Sequence, residues 1–450
     1  MRPYALLSLV TLLAGCPAES PFSPPPLGAF YFPTGLTHVD SPESPEGLLY
    51  VASSNFDKRF DVGSVTAVNL ARVRGGGVGM PSFGAAVPMT GPLQLTELNV
   101  SDDGVVFTES FAGQMAGFAL EDGGVRLFVP SRAEGSRLHV LEAPGVAGEG
   151  LTLSCFTPPQ GGGNNCIADS PSLVELEGTK TGLPRAPEPY SMAIAADGEL
   201  FVTHLQRADS PPDSASDFHS YLVRTFAQNP VVSAEDFIEL GEGAGSGVAV
   251  GSRYAFVSGR SSTAPMVRLV DRFDRRVLDP RLQNEFRVAD ARGIALSADQ
   301  RRLYLAGRLP DTLLVIDVQG ATTSEPRLLV VRGVPLPGGA NELAILPRAG
   351  RGNLVAVTSS SADVLSIYDD EAGAVVAQIS SLGEQPFAIA VDERAPGARL
   401  YVSMFADGRV AVVDIPDLLR PQEARLVAHL GTSQTCLVDP TNAECVGEAR

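Results

Sequence analysis

The chain contains no tryptophan, five histidines, five cysteines and a single long apolar run, and each shortage narrows what it can be. With 34 basic against 52 acidic residues there is no basic surplus to meet phosphates, so a nucleic-acid partner is excluded and the net charge of −18 reads as a solubility device. Lys58 and Lys180 are the two lysines; the other basic residues are arginine. Beyond residue 16 no apolar stretch approaches the ~20 residues of a transmembrane helix. The sequence also lacks a Gly-x-Ser-x-Gly elbow, a His-Glu-x-x-His helix, a Walker loop and a haem-attaching Cys-x-x-Cys-His. The glycine-rich RGGGVGMP at 74 fails dinucleotide spacing and reads as a turn, and Asp209, Asp213 and Asp217 lack calcium-loop spacing. No reaction is legible from motifs.

What is present begins with an address. Residues 1–15 join Arg2 to an apolar stretch from Tyr4 to Leu13 and small residues before Cys16, the layout of a signal peptide. The ending Leu13-Ala14-Gly15-Cys16 resembles the lipobox of bacterial lipoproteins, which implies a lipid on Cys16; an ordinary cleavage site beside a chance cysteine is the competing reading. Five prolines between Pro17 and Gly28 make residues 16–29 an expected extended tether. The expected location is the bacterial cell envelope, with the chain held to the membrane through lipidated Cys16 and facing the periplasm or the exterior.

The other cysteines agree with export. Cys155 and Cys166 bracket one small loop, and Cys436 and Cys445 bracket another within a C-terminal tail of residues 432–450. Four cysteines allow three connectivities, local pairing being the simplest in an oxidising compartment. Zinc competes weakly, because neither pair has Cys-x-x-Cys spacing or a neighbouring histidine.

Residues 30–431 repeat. QPFAIAVDERAPGARLYVSMFADGRVAVVDI from Gln385, DARGIALSADQRRLYLAGRLPDTLLVIDV from Asp290 and PYSMAIAADGELFVTH from Pro189 share an apolar strand, a turn, a second strand such as LYVS, a loop and a third strand. Taking the second strand as marker gives LLYVAS, VVFTES, LTLSCF, ELFVTH, YAFVSG, RLYLAG, NLVAVT and RLYVSM, spaced roughly 45 to 57 residues, the length of one four-stranded blade with a loop. The expected fold is therefore all-β, a single β-propeller of four-stranded blades, eight by this count with seven as the alternative; two tandem β domains are the structural rival. These units resemble the YVTN family of β-propeller repeats, which implies a propeller and leaves activity open. The absent tryptophan removes the WD40 signature.

In such a fold, loops after second strands share one face with the connections between blades. The long segments 53–63, 155–166 and 204–219 are placed there, where binding usually lives. The same face is expected to carry Glu97, Tyr190, Ser246, Arg292, Asn341, Glu342 and Phe387 at the channel mouth, just before each inner strand, with Arg260, Arg308 and His204 on the rim. Acids, an amide and arginines converging on one axis suit a divalent cation or an anionic ligand, and guanidinium groups suit a carboxylate. Three functions follow. The first is a binding or scaffold module for a protein, glycan or small ligand, without catalytic residues or a required cofactor. The second is a lactonase-like or other metal-assisted hydrolase using Glu97, Asn341 and Glu342. The third is a subunit docked on an envelope assembly.

Overall fold

The computed structural model describes residues 23–438 apart from 42–43, 87, 89–90, 134–135, 145–150, 157–163, 168–172, 177–181, 184–187, 206–219, 242, 261–265, 281 and 283–287. Seven antiparallel sheets follow one another along the chain. Blade 1 comprises Pro33–Ser41, Ser44–Ser53, Gly63–Asn69 and Val105–Thr108; blade 2 comprises Ala116–Ala119, Val125–Ser131, Arg137–Ala143 and an outer edge shared by Ser154–Cys155 and Leu173–Glu175. Blade 3 is Pro189–Ile194, Glu199–His204, Ser220–Phe226 and Phe237–Gly241; blade 4 is Ala244–Val250, Tyr254–Gly259, Val267–Asp271 and Val277–Leu278. Blade 5 is Asp290–Leu296, Arg302–Arg308, Thr312–Gln319 and Arg327–Pro335; blade 6 is Ala340–Leu346, Leu354–Ser359, Val364–Asp369 and Ala374–Ile379. Blade 7 is Pro386–Arg394, Gly397–Met404, Arg409–Ile415 and Arg425–Leu430. The inner strands pack side by side in chain order, and that of blade 7 packs on that of blade 1, closing a ring.

The chain is thus an all-β single β-propeller, and the count is seven, not eight. VVFTES is the outer strand of blade 1 and LTLSCF leads into the outer edge of blade 2, so neither is a second strand. The true second strand of blade 2 is VRLFVPS at Val125–Ser131. The markers misled because residues 70–104 intervene before blade 1's outer strand, and an outer strand packed in the gap between blades is as apolar as a second strand.

Both faces of a second strand are buried, which is why LYVS-like segments read as continuous apolar runs. Leu49 and Val51 point into the gap between blades 7 and 1, while Leu48, Tyr50 and Ala52 point into the gap between blades 1 and 2. Each gap between neighbouring blades holds its own apolar cluster. Side chains such as Leu305 and Val402, wholly buried there, each contribute about 1.5–3 kcal/mol.

Ring closure has its own device. The insertion after blade 1's third strand crosses to blade 7, where Leu93–Leu95 adds a fifth strand parallel to Arg425–Leu430. Buried Arg399 binds Asp414 through Nε at 2.6 Å and Nη2 at 3.0 Å, and also donates to Glu46 and to the Pro81 carbonyl. Gly84 N–H donates to Asp414, and Arg425 holds the Gly84 and Ala85 carbonyls.

The Cys155–Cys166 disulfide is present. Its loop departs from the outer edge of blade 2, so it does not follow a second strand as expected. Beyond it, Asn165 bridges to Phe107 on blade 1's outer strand, and the Cys166 carbonyl meets Nδ1 of buried His139. Burial holds the His139 imidazole down near 3, so it stays neutral at ordinary pH. Cys436 is disulfide-bonded; Cys445, Cys16 and Lys180 lie outside the described residues.

Candidate ligand site at the channel mouth

Every inner strand is irregular at the same place. Pairing with the second strand slips between Pro33 and Gly35, Pro189 and Met192, Ala244 and Val248, Ala291 and Ile294, Ala340 and Leu343, and Pro386 and Ile389. Blade 2 has the equivalent step between the Ala112–Ser131 bridge and Ala116. A bulge breaks the two-residue alternation and re-aims side chains, so seven bulges at one level build the mouth from residues that regular strands would send elsewhere.

The hydroxyl in LYVS-like strands pins these bulges. Thr203 Oγ1 accepts from Ser191 N–H and donates to its carbonyl, both at 3.2 Å. Thr358 Oγ1 accepts from Glu342 N–H at 3.0 Å and bonds the Phe387 carbonyl of the next blade at 3.0 Å. Ser258 Oγ likewise reaches across to the Arg292 carbonyl at 2.6 Å. Glycine appears where adjacent inner strands approach: a Cβ on Gly247 would lie 2.7 Å from the Arg292 carbonyl oxygen, and one on Gly293 2.7 Å from that of Asn341.

Just inside the bulges a cavity of about 180 Å³ occupies the axis. One apolar side chain per blade lines it: Leu36, Met115, Met192, Val248, Ile294, Leu343 and Ile389. Two longer polar side chains cross it, Gln114 of blade 2 and Glu342 of blade 6. The Glu342 carboxylate accepts a hydrogen bond from Gln114, whose Oε1 accepts from Ser191 Oγ. Glu342 lines this cavity and is half-buried. Burial pushes its carboxyl up to about 7, against the opposing pull of Gln114, Arg292 and Arg308.

Arginines gather above. Strand register puts Arg260 and Arg308 at equivalent rim positions after their second strands, as the sequence suggested, and Arg132 of blade 2 takes the same place. Asp290 is shared, meeting Arg292 at 2.8 Å and Arg260 at 3.4 Å. Arg132 lies over the Tyr190 ring at 5.7 Å. The Arg260 guanidinium is held below its usual range by burial first and by Arg292 second, and Arg308 by the same two causes. Burial raises the Tyr190 phenol, so it is neutral. Arg308 spends its donors on the Gly339 and Ala340 carbonyls, Asn341 Oδ1 and Ser360 Oγ, which makes it a brace that also lends charge. Asp311 behind it accepts from the Gly339 and Ala340 amides. Arg132, Arg260, Arg292 and Arg308 thus gather on this side of the mouth with the carboxylates Asp290, Asp311 and Glu342. Ser246 Oγ and Asn341 Nδ2, buried at two bulges, find no hydrogen-bond partner among the described residues.

Of the residues expected at the mouth, Tyr190, Ser246, Arg292, Asn341, Glu342 and Phe387 occupy the bulges. Glu97 does not. It is exposed on the insertion beside blade 7, bridged to Arg74, because its segment imitates an inner strand without being one. His204 ends blade 3's second strand fully buried, its backbone packed on Gly245, so a ligand in solvent does not reach it. Sequence reasoning missed Gln114 and Arg132, although VPSR at 129 repeats the pattern of VSGR at 257 and LAGR at 305.

The trio Glu97, Asn341 and Glu342 is therefore not assembled. Among the described residues one group, His38, Asp40 and Asp392, comes within reach of a single ion. It lies at the opposite end of the inner strands, where Arg394 already pairs with Asp392 at 2.5 Å.

No family model matches the sequence, and no curated protein does. Solved structures match by shape. A protein of unknown function from Desulfotomaculum acetoxidans DSM 771 aligns with 82% of this chain and 92% of its own at 11% identity and a TM-score of 0.52. AztD from Citrobacter koseri aligns over 88% and 86% at 11% identity with a TM-score of 0.42. The β-propeller domain of Myceliophthora thermophila Cps50 (Swd1) aligns over 54% and 71% at 14% identity with a TM-score of 0.38. At such identities the likeness to the Desulfotomaculum protein bears on fold alone.

Proposed function

We propose that the protein is a lipid-anchored β-propeller of the bacterial cell envelope that binds a carboxylate-bearing ligand at its channel mouth. The observation carrying this reading is the crowd of guanidinium groups around Tyr190, in which one carboxylate, Asp290, serves both Arg260 and Arg292. An incoming anion relieves the repulsion that Arg292 exerts on its neighbours, and forked guanidinium donors match carboxylate geometry. The YVTN-type repeat ancestry belongs to the same reading, its hydroxyl-bearing second strands serving to hold the bulges. The hydrolase alternative loses its metal set with Glu97 and is not carried forward.

The anchor fits this geometry. Ser23 N–H donates to Asp61 at 2.7 Å and Asp61 N–H returns to the Ser23 carbonyl, which docks the incoming chain on the mouth face. Phe30 then fills the gap between blades 7 and 1. Seven peptide units separate Cys16 from Ser23, about 25 Å at full extension, so a lipid on Cys16 holds the mouth toward the membrane. Calorimetric titration of the mature chain with acetate at pH 6 is expected to show one saturable site that Arg260→Gln with Arg292→Gln removes. Equal binding by the double variant would contradict the reading. Metabolic labelling with palmitate is expected to mark the wild type and leave Cys16→Ser unmarked.

A further inference from the structure

The mouth has a second chemistry on its other half. Phe32, Phe56, Phe111, Phe387 and Phe405 form one connected cluster, with ring centroids 5.1 Å apart for Phe32–Phe405, 5.5 Å for Phe56–Phe405, 5.7 Å for Phe56–Phe111 and 5.8 Å for Phe387–Phe405. Phe56 is 49% exposed and the others are part-exposed, an unusual use of large apolar rings on a chain with −18 charge. These rings occupy structurally repeated positions. Phe387 is the bulge residue of blade 7, Phe405 takes the rim position that Arg260 takes in blade 4, and Phe32 and Phe111 immediately precede the first bridged residues of blades 1 and 2.

Two of them are held at a cost. Phe32 at φ 53° and Phe111 at φ 60° adopt the left-handed backbone that bulky residues avoid, at roughly 1–3 kcal/mol each. The position repeats around the ring: Gly243 and Gly339 hold it in blades 4 and 6, and Glu188 at φ 59° and Gln385 at φ 56° hold it in blades 3 and 7.

The shelf is continuous with the cationic arc at both ends. The Phe111 carbonyl accepts from Arg132 N–H, and Arg132 covers the Tyr190 ring. At the other end Thr358 ties the Phe387 carbonyl to the Glu342 amide. Apart from Arg132 of blade 2 and Lys58, which lies over the Phe111 ring at 5.2 Å, blades 7, 1 and 2 therefore present aromatic surface where blades 3 to 6 present guanidinium, phenol and amide.

We infer that the site takes an amphipathic carboxylate, its anionic head among Arg260, Arg292 and Arg132 and its aromatic or otherwise apolar body on the phenylalanine shelf. This rests on the carboxylate reading and adds the rest of the molecule. Rings stack offset or edge-on against such a shelf, and apolar area leaves water at the same time. A bare inorganic anion leaves the shelf unused, and a neutral hydrocarbon leaves the guanidinium groups unused. A ligand of this kind also partitions to membrane surfaces, where the docked tether would hold the mouth.

The test uses the mature protein, 2-naphthoate as head plus ring, and acetate as head alone, titrated by calorimetry at pH 6. Naphthoate is expected to bind at least 50-fold tighter than acetate. Phe56→Ala is expected to shrink that ratio about tenfold, and Phe56→Leu, which keeps apolar area, to restore most of it; thermal melts confirm folding. Equal affinities for the two probes in the wild type, or a ratio that Phe56→Ala does not move, would overturn the shelf while leaving the carboxylate reading standing. Absence of binding by either probe would overturn both.

Discussion

Blades 7, 1 and 2 and blades 3 to 6 use one backbone for two chemistries. At the level where Phe387 sits in blade 7, Tyr190, Arg292 and Asn341 sit in blades 3, 5 and 6, each on a bulge in the same register. At the rim, Phe405 in one half answers Arg260 and Arg308 in the other. The repeat supplies positions aimed at the axis, and the residues placed there are free to differ because strand pairing and the cores between blades do not depend on them. That separation explains how a fold can be regular while its mouth is not.

The largest break in this comparison comes from the cationic half. Arg260→Gln with Arg292→Gln is expected to lower naphthoate affinity by more than about 100-fold by calorimetry, since hydrogen bonds to charged groups contribute about 1.5–3 kcal/mol each. Removing the disulfide acts on stability, away from the mouth. Cys155→Ser with Cys166→Ser is expected to cost about 2–3 kcal/mol in denaturant unfolding with ligand affinity retained. A smaller loss, about 1–3 kcal/mol, is expected from Thr358→Val, which leaves the Glu342 amide and the Phe387 carbonyl without their shared partner where the two halves meet.

Glu342 sharpens the comparison through pH. Its folded value lies near 7 against an ordinary 4.5, so the folded state holds a proton that the unfolded chain has released between those values. Stability from this group is therefore present below about 4.5 and is lost as pH rises to about 7. Protonation also removes a negative charge beside Arg292 and Arg308, so carboxylate affinity is expected to fall by up to tenfold between pH 6 and 8, and Glu342→Gln to flatten that profile. The smallest effect is expected at Phe273, more exposed than any shelf ring but on the outer part of blade 4. Phe273→Ala should change naphthoate affinity less than twofold and stability by no more than about 0.5 kcal/mol.

The repeat was most legible where the blades are most regular. Blades 5 to 7 were readable strand by strand because both faces of their second strands are buried and their turns are short. Blades 1 and 2 were misread because the crossing insertion and the disulfide-bearing edge place apolar outer strands at a blade's spacing. The site inherited that error. Arg292, Arg260, Asn341 and Glu342, beside regular strands, were placed at the mouth, and Glu97 was misplaced with the insertion. Arg132 was overlooked because its second strand went unrecognised, and most of the shelf because its rings converge from four loops distant in sequence.

The account's central claim is best tested by a crystal structure of the mature protein with 6-bromo-2-naphthoate, located by bromine anomalous scattering. The expected result is a carboxylate within hydrogen-bond reach of Arg260 and Arg292, with the bromine-bearing ring over Phe56 and Phe405. A ligand seated elsewhere at saturating concentration, or lying at the mouth with its carboxylate turned away from the arginines, would contradict it.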